Sequence, residues 1–307
     1  MSQNKEQPLI TFRPYQEEVV RSRLRQIFLL WRRQTGKSYT LAHCALIRMM
    51  KRPNHLVTMV SASINIGGEL LLKEAQIWAD VLAKYRKICK VGNLKLETSA
   101  DADDGELLDI DAFADIFEHN KLEAKIYHSK QIVSRTRVIA PNPDTAVGWT
   151  GDIFMDEIGR ISNFKDVYEA VLPIMDSNPA FDLKMATTPP PDEKHPTYEM
   201  FLPPPVEWKH NPRGNWYIAP CGMDAHRVDA WDGEAAGVRY FHPRTREIIS
   251  AERHRELAFD KTAWDRNHAV KFIAGGTAAV ALGDIQRAQL LGIDECCEFA
   301  TMEEVVL

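Results

Sequence analysis

The sequence predicts an α/β protein: a mostly parallel β-sheet flanked by helices, with a smaller C-terminal subdomain. Three observations predict it. Short apolar runs alternate with longer stretches of helical periodicity, the pattern of βαβ units. The runs read as strands buried on both faces, as in a parallel sheet. Three of them end in polar residues, where open α/β sheets gather their ligands.

The elements follow in order. Ile27–Trp31 is an apolar strand that leads into Arg-Arg-Gln-Thr-Gly-Lys-Ser. Ser38–Met50 is a helix with Leu41, Ala45 and Met49 at helical spacing. His55–Ser61 is a second strand, and Asn65–Lys87 a long helix with Leu71, Ala75, Trp78 and Leu82 on one face. Short strands are expected at Ala124–Tyr127 and Ile132–Ile139, and the acidic stretch 99–120 between helix and strands reads as an insertion or solvated connector. Ile153–Met155 is a core strand ending in Asp156-Glu157, Asn163–Met175 a helix, and Leu183–Ala186 a core strand ending in Thr187-Thr188-Pro189. The proline-rich stretches 189–196 and 202–205 then break the pattern. Beyond them a strand is expected at Trp216–Pro220, a helix near Ser250–Ala258 and a last helix from about Gly283. The expected division is a core of residues 1–205 and a small linker or lid subdomain of 206–307.

Composition bounds the class. The chain has 307 residues, 45% hydrophobic and 26% charged, which excludes a disordered chain. No apolar run approaches membrane-spanning length, and no signal-peptide pattern opens the chain. Cys44, Cys89, Cys221, Cys296 and Cys297 show no metal-binding or disulfide spacing, so a reduced, cytoplasmic protein is expected. The net charge of −5 conceals a basic N-terminal stretch: residues 1–52 carry eleven Lys/Arg against three Glu. Such a stretch suits the phosphates of a nucleotide or of DNA. Residues 101–118 hold eight carboxylates and no basic side chain.

Gly36-Lys37-Ser38 lies where a strand turns into a helix, the context of a phosphate-binding loop. The backbone N–H groups of Arg32–Tyr39, with Gln34, Thr35 and the helix start, can point at phosphate oxygens. Lys37 would bridge the outer phosphates and Ser38 would bind Mg²⁺. The motif is short enough to arise by chance, and Trp31 stands where the full pattern has Gly. Asp156, at the end of an apolar strand, can hold Mg²⁺, and Glu157 can polarise the attacking water. Either Arg32 or Arg33 could stabilise developing charge, and Arg33 is favoured. Tyr15-Gln16, about twenty residues before the loop, could stack on and pair with adenine.

The order Arg13-Pro-Tyr-Gln16, Arg32–Ser38, Val60–Ser63, Pro141–Glu157 and Ala186–Pro190 resembles the ATPase part of the large terminase subunit of tailed phages, and Pro141–Glu157 is similar to the Mu-like branch. That family's phosphate loops also lack the first Gly and carry an Arg, so Trp31 agrees with the resemblance. The resemblance implies a RecA-like P-loop core, ATP and Mg²⁺ as ligands, and adenine recognition by Tyr15 and Gln16. It implies phosphate contact by Arg33, a Walker B pair in Asp156 and Glu157, and coupling through Thr187 and Thr188. Ser61-Ala62-Ser63 matches a further segment near the nucleotide. The implied partners are double-stranded DNA, a terminase small subunit, a portal protein and further copies in a ring, in the host cytoplasm and outside the mature virion.

Complete large terminases add a nuclease domain, and the residues after Pro205 are too few for one. Asp224, Asp229, Asp232 and Asp284 end no clear hydrophobic strand, so the motor part alone is expected. A RecA-like helicase would need a second half with an arginine finger, and a non-cycling DNA-binding scaffold would not need the Asp-Glu pair. His195, His226, His242 and His254 lack ligand spacing and are expected at the surface. Trp208, Trp216, Trp231 and Trp264 are expected in the core rather than on bases.

Overall fold

Nine strands form one twisted sheet in the computed structural model, which describes residues 10–92, 116–120, 122–143 and 150–273. The described chain runs α1 (Pro14–Arg21), β1 (Gln26–Trp31), α2 (Lys37–Lys51), β2 (Leu56–Ser61) and α3 (Ile64–Gly92). It continues with β3 (Phe117–His119), β4 (Glu123–Tyr127), β5 (Val133–Ile139) and β6 (Asp152–Asp156). A 3₁₀ turn (Ile158–Arg160), α4 (Phe164–Ser177), β7 (Leu183–Thr187) and α5 (Thr197–Phe201) follow. Last come β8 (Asn215–Ile218), β9 (Asp224–Val228), α6 (Ala230–Ala235), β10 (Tyr240–Phe241), β11 (Ile248–Ile249), α7 (Ala251–Glu256) and α8 (Lys261–Asn267).

The sheet order is β3-β4-β5-β2-β6-β7-β1-β9-β8. The six strands from β5 to β9 in that order pair in parallel, and antiparallel pairs finish both edges. This is the mostly parallel sheet flanked by helices that the alternating pattern predicts. Central strands β1, β6 and β7 are buried on both faces because helices cover both, which is why they read as continuous apolar runs. One core packs Phe28, Met155, Phe164 and Phe201 on one side of the sheet. A second packs Met49, Met59, Trp78 and Phe154 on the other.

Four expectations need correction. The sheet does not stop at 205: β9 pairs with β1 and β8 with β9, so residues 215–228 complete the core sheet. What stands apart is residues 230–269, whose own small cluster includes Ala230, Tyr240, Ala251, Trp264 and Ala269. β9 escapes the sequence pattern because its run, Asp-Ala-His-Arg-Val, interleaves polar residues that find partners inside. In consequence Asp229 does follow a strand. His226 on β9 is fully buried rather than at the surface, accepting from Trp31 Nε1 at 3.0 Å and donating to the Arg213 carbonyl at 2.8 Å. Part of the acidic connector, Phe117–His119, is an edge strand. Residues 99–115 of that connector, residues 144–149 of the family-like stretch, Asp284, Cys296, Cys297 and the helix expected from Gly283 lie outside the described residues. Among the described residues no helix is long and apolar enough to cross a membrane.

The start of β6 shows how the sheet is tied at its far end. Asp152 is fully buried and accepts from His55 Nε2 at 2.7 Å, from the Arg48 guanidinium and from the Asp182 backbone N–H at 2.8 Å. Those bonds hold its carboxyl below the usual carboxylate range in spite of its burial. Gly151 precedes it because a Cβ there would lie 2.1 Å from the Leu56 carbonyl oxygen.

Candidate functional site

β1 ends at Trp31 and the chain turns through residues 32–36 into α2. Gly36, at the helix N-cap, has φ +83°, and a Cβ on it would lie 2.7 Å from Gln16 Nε2. The left-handed backbone favours glycine there, and a Cβ would require the Gln16 amide to shift. The first turn of α2 therefore points its free N–H groups at the carboxyl ends of β1 and β6, and no acidic residue occupies that turn.

Lys37 is buried, and its ammonium donates to the Trp31 and Arg32 carbonyls at 3.2 Å each. Its Nζ lies 3.8 Å from Glu157 Oε1. Burial pushes the ammonium below its ordinary range, opposed by Glu157 and Asp156. Asp156 is buried too, and burial raises its carboxyl. The Ser38 hydroxyl, the Lys37 charge and the Glu157 N–H, at 3.0 Å, all act to lower it. Glu157 stands at φ +52°, a left-handed conformation that a non-glycine residue adopts under constraint. Loop and strand tip thus bring Lys37, Ser38, Asp156 and Glu157 to one place, although Lys37 and Asp156 lie far apart in sequence.

The turn that follows Glu157 is tied to the next strand. The Gly159 N–H donates to Thr187 Oγ1 at 3.0 Å, and that hydroxyl donates to the Thr188 carbonyl at 2.8 Å. Thr187 and Thr188 are both buried. The Thr187 hydroxyl is therefore committed to the turn behind Glu157.

The remaining sequence-predicted residues divide. Arg33 and Gln34 are exposed at the mouth of the loop, Gln34 with φ +58°. Arg32 is buried and turned away, its guanidinium 4.6 Å above the Tyr240 ring, so it faces residues 230–269. Thr35 is buried and donates to the Arg32 carbonyl at 2.7 Å. Tyr15 does not offer a face for a base. It is fully buried, edge-on to Trp31 at 5.0 Å, with its hydroxyl donating to the Thr35 carbonyl at 3.0 Å. Gln16 accepts from the Arg13 N–H at 3.0 Å and donates to Thr40 Oγ1 at 3.4 Å. The aromatic surface beside the loop belongs instead to half-buried Tyr39, stacked at 6.4 Å on His43, which meets Phe12 at 4.6 Å. Sequence reasoning missed Phe12 and His43, whose signal would have been aromatic residues flanking the Tyr-Gln pair and one helical turn after Tyr39. Ser61 ends β2 next to Asp156, with which it pairs in register.

A second acidic group lies after β9. His210, Asp229 and Asp232 offer ligand atoms within 4.8 Å of one another. The two carboxylates already pair with Arg227 at 3.0 and 3.8 Å and cap α6. They serve the polypeptide itself.

No protein-family model matches the chain, and no curated protein matches it. Among solved structures it is similar to the large terminase ATPase domain of Thermus phage P74-26. The TM-score is 0.51 and the identity 15%, over 84% of this chain and 93% of that one. A point mutant of that domain gives the same values. A large terminase of a thermophilic bacteriophage, in complex with ADP, scores 0.49 at 12% identity, over 86% of this chain and 54% of that one. At such identities the likeness is one of fold: this chain shares the mixed α/β, RecA-like architecture of phage terminase ATPase domains.

Proposed function

We propose that the chain is an ATP hydrolase of the phage large-terminase type, in which hydrolysis drives double-stranded DNA into a prohead. The observation that carries the proposal is the convergence of Lys37, Ser38, Asp156 and Glu157 at the ends of β1 and β6. The likeness in fold to a terminase ATPase domain supports it, as does the order of motifs along the chain.

The residues fit ATP and Mg²⁺. A buried ammonium whose partners are two carbonyls and a carboxylate at 3.8 Å is ready to exchange them for phosphate oxygens. Ser38 and Asp156, already joined, form an oxygen donor pair suited to Mg²⁺. When bound, Mg²⁺ would neutralise charge on the outer phosphates. Glu157, held by its constrained backbone, would orient and deprotonate the attacking water. Exposed Arg33 would meet charge developing on the transferred group. Gln16 and the Tyr39 surface would contact the base. Loss of the outer phosphate would reach Thr187 and Thr188 through the turn at Gly159. A small subunit, a portal ring, further copies of the chain, a place in the Mu-like branch and action in the host cytoplasm belong to the same reading.

Steady-state phosphate release, with and without duplex DNA, tests it. Glu157→Gln should bind ATP–Mg²⁺ and turn over at least ~100-fold more slowly. Lys37→Ala should lose both binding and hydrolysis. Turnover by Glu157→Gln near the unmodified rate would remove Glu157 from the chemistry.

A further inference from the structure

The hairpin β10–β11 carries a charged surface that the nucleotide site does not use. Tyr240 pairs with Ile249 and Phe241 with Ile248. The connecting residues His-Pro-Arg-Thr-Arg-Glu are locked by their own hydrogen bonds. His242 N–H donates to the Glu247 carbonyl at 2.8 Å, and Arg246 N–H to the His242 carbonyl at 3.0 Å. His242 Nδ1 accepts from the Arg244 and Thr245 N–H groups at 3.3 and 3.1 Å. A tip closed in this way holds its side chains outward in fixed directions.

Three arginines, Arg239, Arg244 and Arg246, are exposed on this hairpin. The carboxylate beside them, Glu247, accepts from Thr245 Oγ1 at 2.8 Å. Two other arginines of the same unit are paired, Arg253 with Glu256 and Arg255 with Asp265. Among the described residues none of the three hairpin arginines has a carboxylate partner.

Arg246 adds an independent observation. Its φ is +63°, the conformation a tight hairpin needs at that point and one that glycine adopts without strain. The chain places a long cationic side chain where backbone geometry favours none. Strain kept at an exposed tip points to use of the side chain.

We propose that the hairpin 239–249 is a contact surface for the phosphate backbone of duplex nucleic acid, with Arg244 and Arg246 each engaging a phosphate. Guanidinium groups match phosphate oxygens in bidentate geometry. A two-stranded ribbon is also narrow enough to lie along a duplex groove. The base of the hairpin meets the phosphate loop through Tyr240 beneath Arg32, which joins the two segments. The surface rests on the reading of this protein as DNA-coupled. The apolar pair Phe241 and Ile248, also exposed, would border the contact.

The test is Arg244→Ala with Arg246→Gly in the full chain, the glycine removing backbone strain as well as charge. Anisotropy of a labelled duplex is read from about 50 to 200 mM salt, with nucleotide binding and thermal midpoint in parallel. The double variant should bind duplex at least ~10-fold more weakly at the low-salt end. Its slope of log affinity against log salt should be shallower by about two, one counterion release per lost phosphate contact. Nucleotide binding should stay unchanged, and the thermal midpoint should not fall. Lys51→Ala, an exposed charge at the far end of α2, should leave the slope unchanged. Equal affinity and slope in the double variant would overturn the surface, as would absence of duplex binding by the unmodified chain. Loss of self-association with unaltered duplex binding would overturn it too, by making the hairpin a contact between copies. Duplex binding that needs the arginines in a chain that does not hydrolyse ATP would retain the surface and reject the motor.

Discussion

Gln16 holds two things at once, the first turn of α1 and the loop. Its carbonyl oxygen accepts from the Arg13 N–H at the helix start, and its amide reaches Thr40 over Gly36. Gln16→Ala should cost about 1 kcal/mol of stability through the lost cap. It should also raise the KM for ATP more than it lowers kcat and relax the preference for ATP over GTP. Thermal melts and competition kinetics with GTP read the two effects separately. A lower melting point with an unchanged preference would leave Gln16 a strut and nothing more. At this scale the sequence was informative where chemistry restricts the choice: only lysine at 37, a hydroxyl residue at 38 and a carboxylate at 156 can do what such a loop requires. It was uninformative about direction. Tyr15 and Arg32 have the right chemistry beside the loop, yet the chain turns both away, into contacts with Trp31 and Tyr240 that no local pattern announces.

Between elements, the telling contact is the one from β7 to the turn after β6. Thr187→Val keeps the branched shape and removes a hydroxyl that both accepts and donates. The buried Gly159 N–H is then unpartnered, which costs about 1–3 kcal/mol. The constrained backbone of Glu157 loses its support. Hydrolysis should fall by about tenfold, less than with Glu157→Gln, while nucleotide binding survives. ATP-driven packaging should fail in the Thr187→Val, Thr188→Val double variant. Phosphate release beside a packaging assay checks this, and normal packaging would show that coupling runs elsewhere. The strands on either side of this contact were readable because they are buried on both faces. β8 was expected, at Trp216–Pro220, although its edge position leaves Trp216 exposed rather than in the core; β9 was not, because it hides His226 and Arg227 among apolar neighbours. Period-two and all-apolar templates both miss a strand of that kind.

For the molecule as a whole, buried titratable groups set the response to pH. Burial holds His43, His226 and His268 at about 4, below their ordinary value. The unfolded chain binds their protons first, so stability is full above about pH 6.5 and is lost as pH falls toward 4. His226, fully buried, contributes on the order of 3 kcal/mol of that loss, because its protonated ring could not accept from Trp31. Glu74 works in the opposite sense. It is fully buried and burial raises it well above the ordinary carboxylate value, so it destabilises the fold as pH rises past about 4.3. Glu74→Gln should therefore raise the thermal midpoint at pH 8 more than at pH 5, and His226→Gln should flatten the decline below pH 6.5. Equal shifts from Glu74→Gln at both pH values would show that its acid titrates normally. The place of β1 has a further consequence, which concerns the order of synthesis. The strand bearing the phosphate loop lies between β7 and β9, and Trp31 meets a histidine 195 residues further on. A ribosome releases that strand early and its second neighbour late. Until residue 228 emerges, the nascent chain carries a strand of almost unbroken apolar character with one edge open to other chains. The proposed nucleotide site is thus translated well before the strand that encloses it, and chaperone shelter during that interval is part of what this topology demands of its cell.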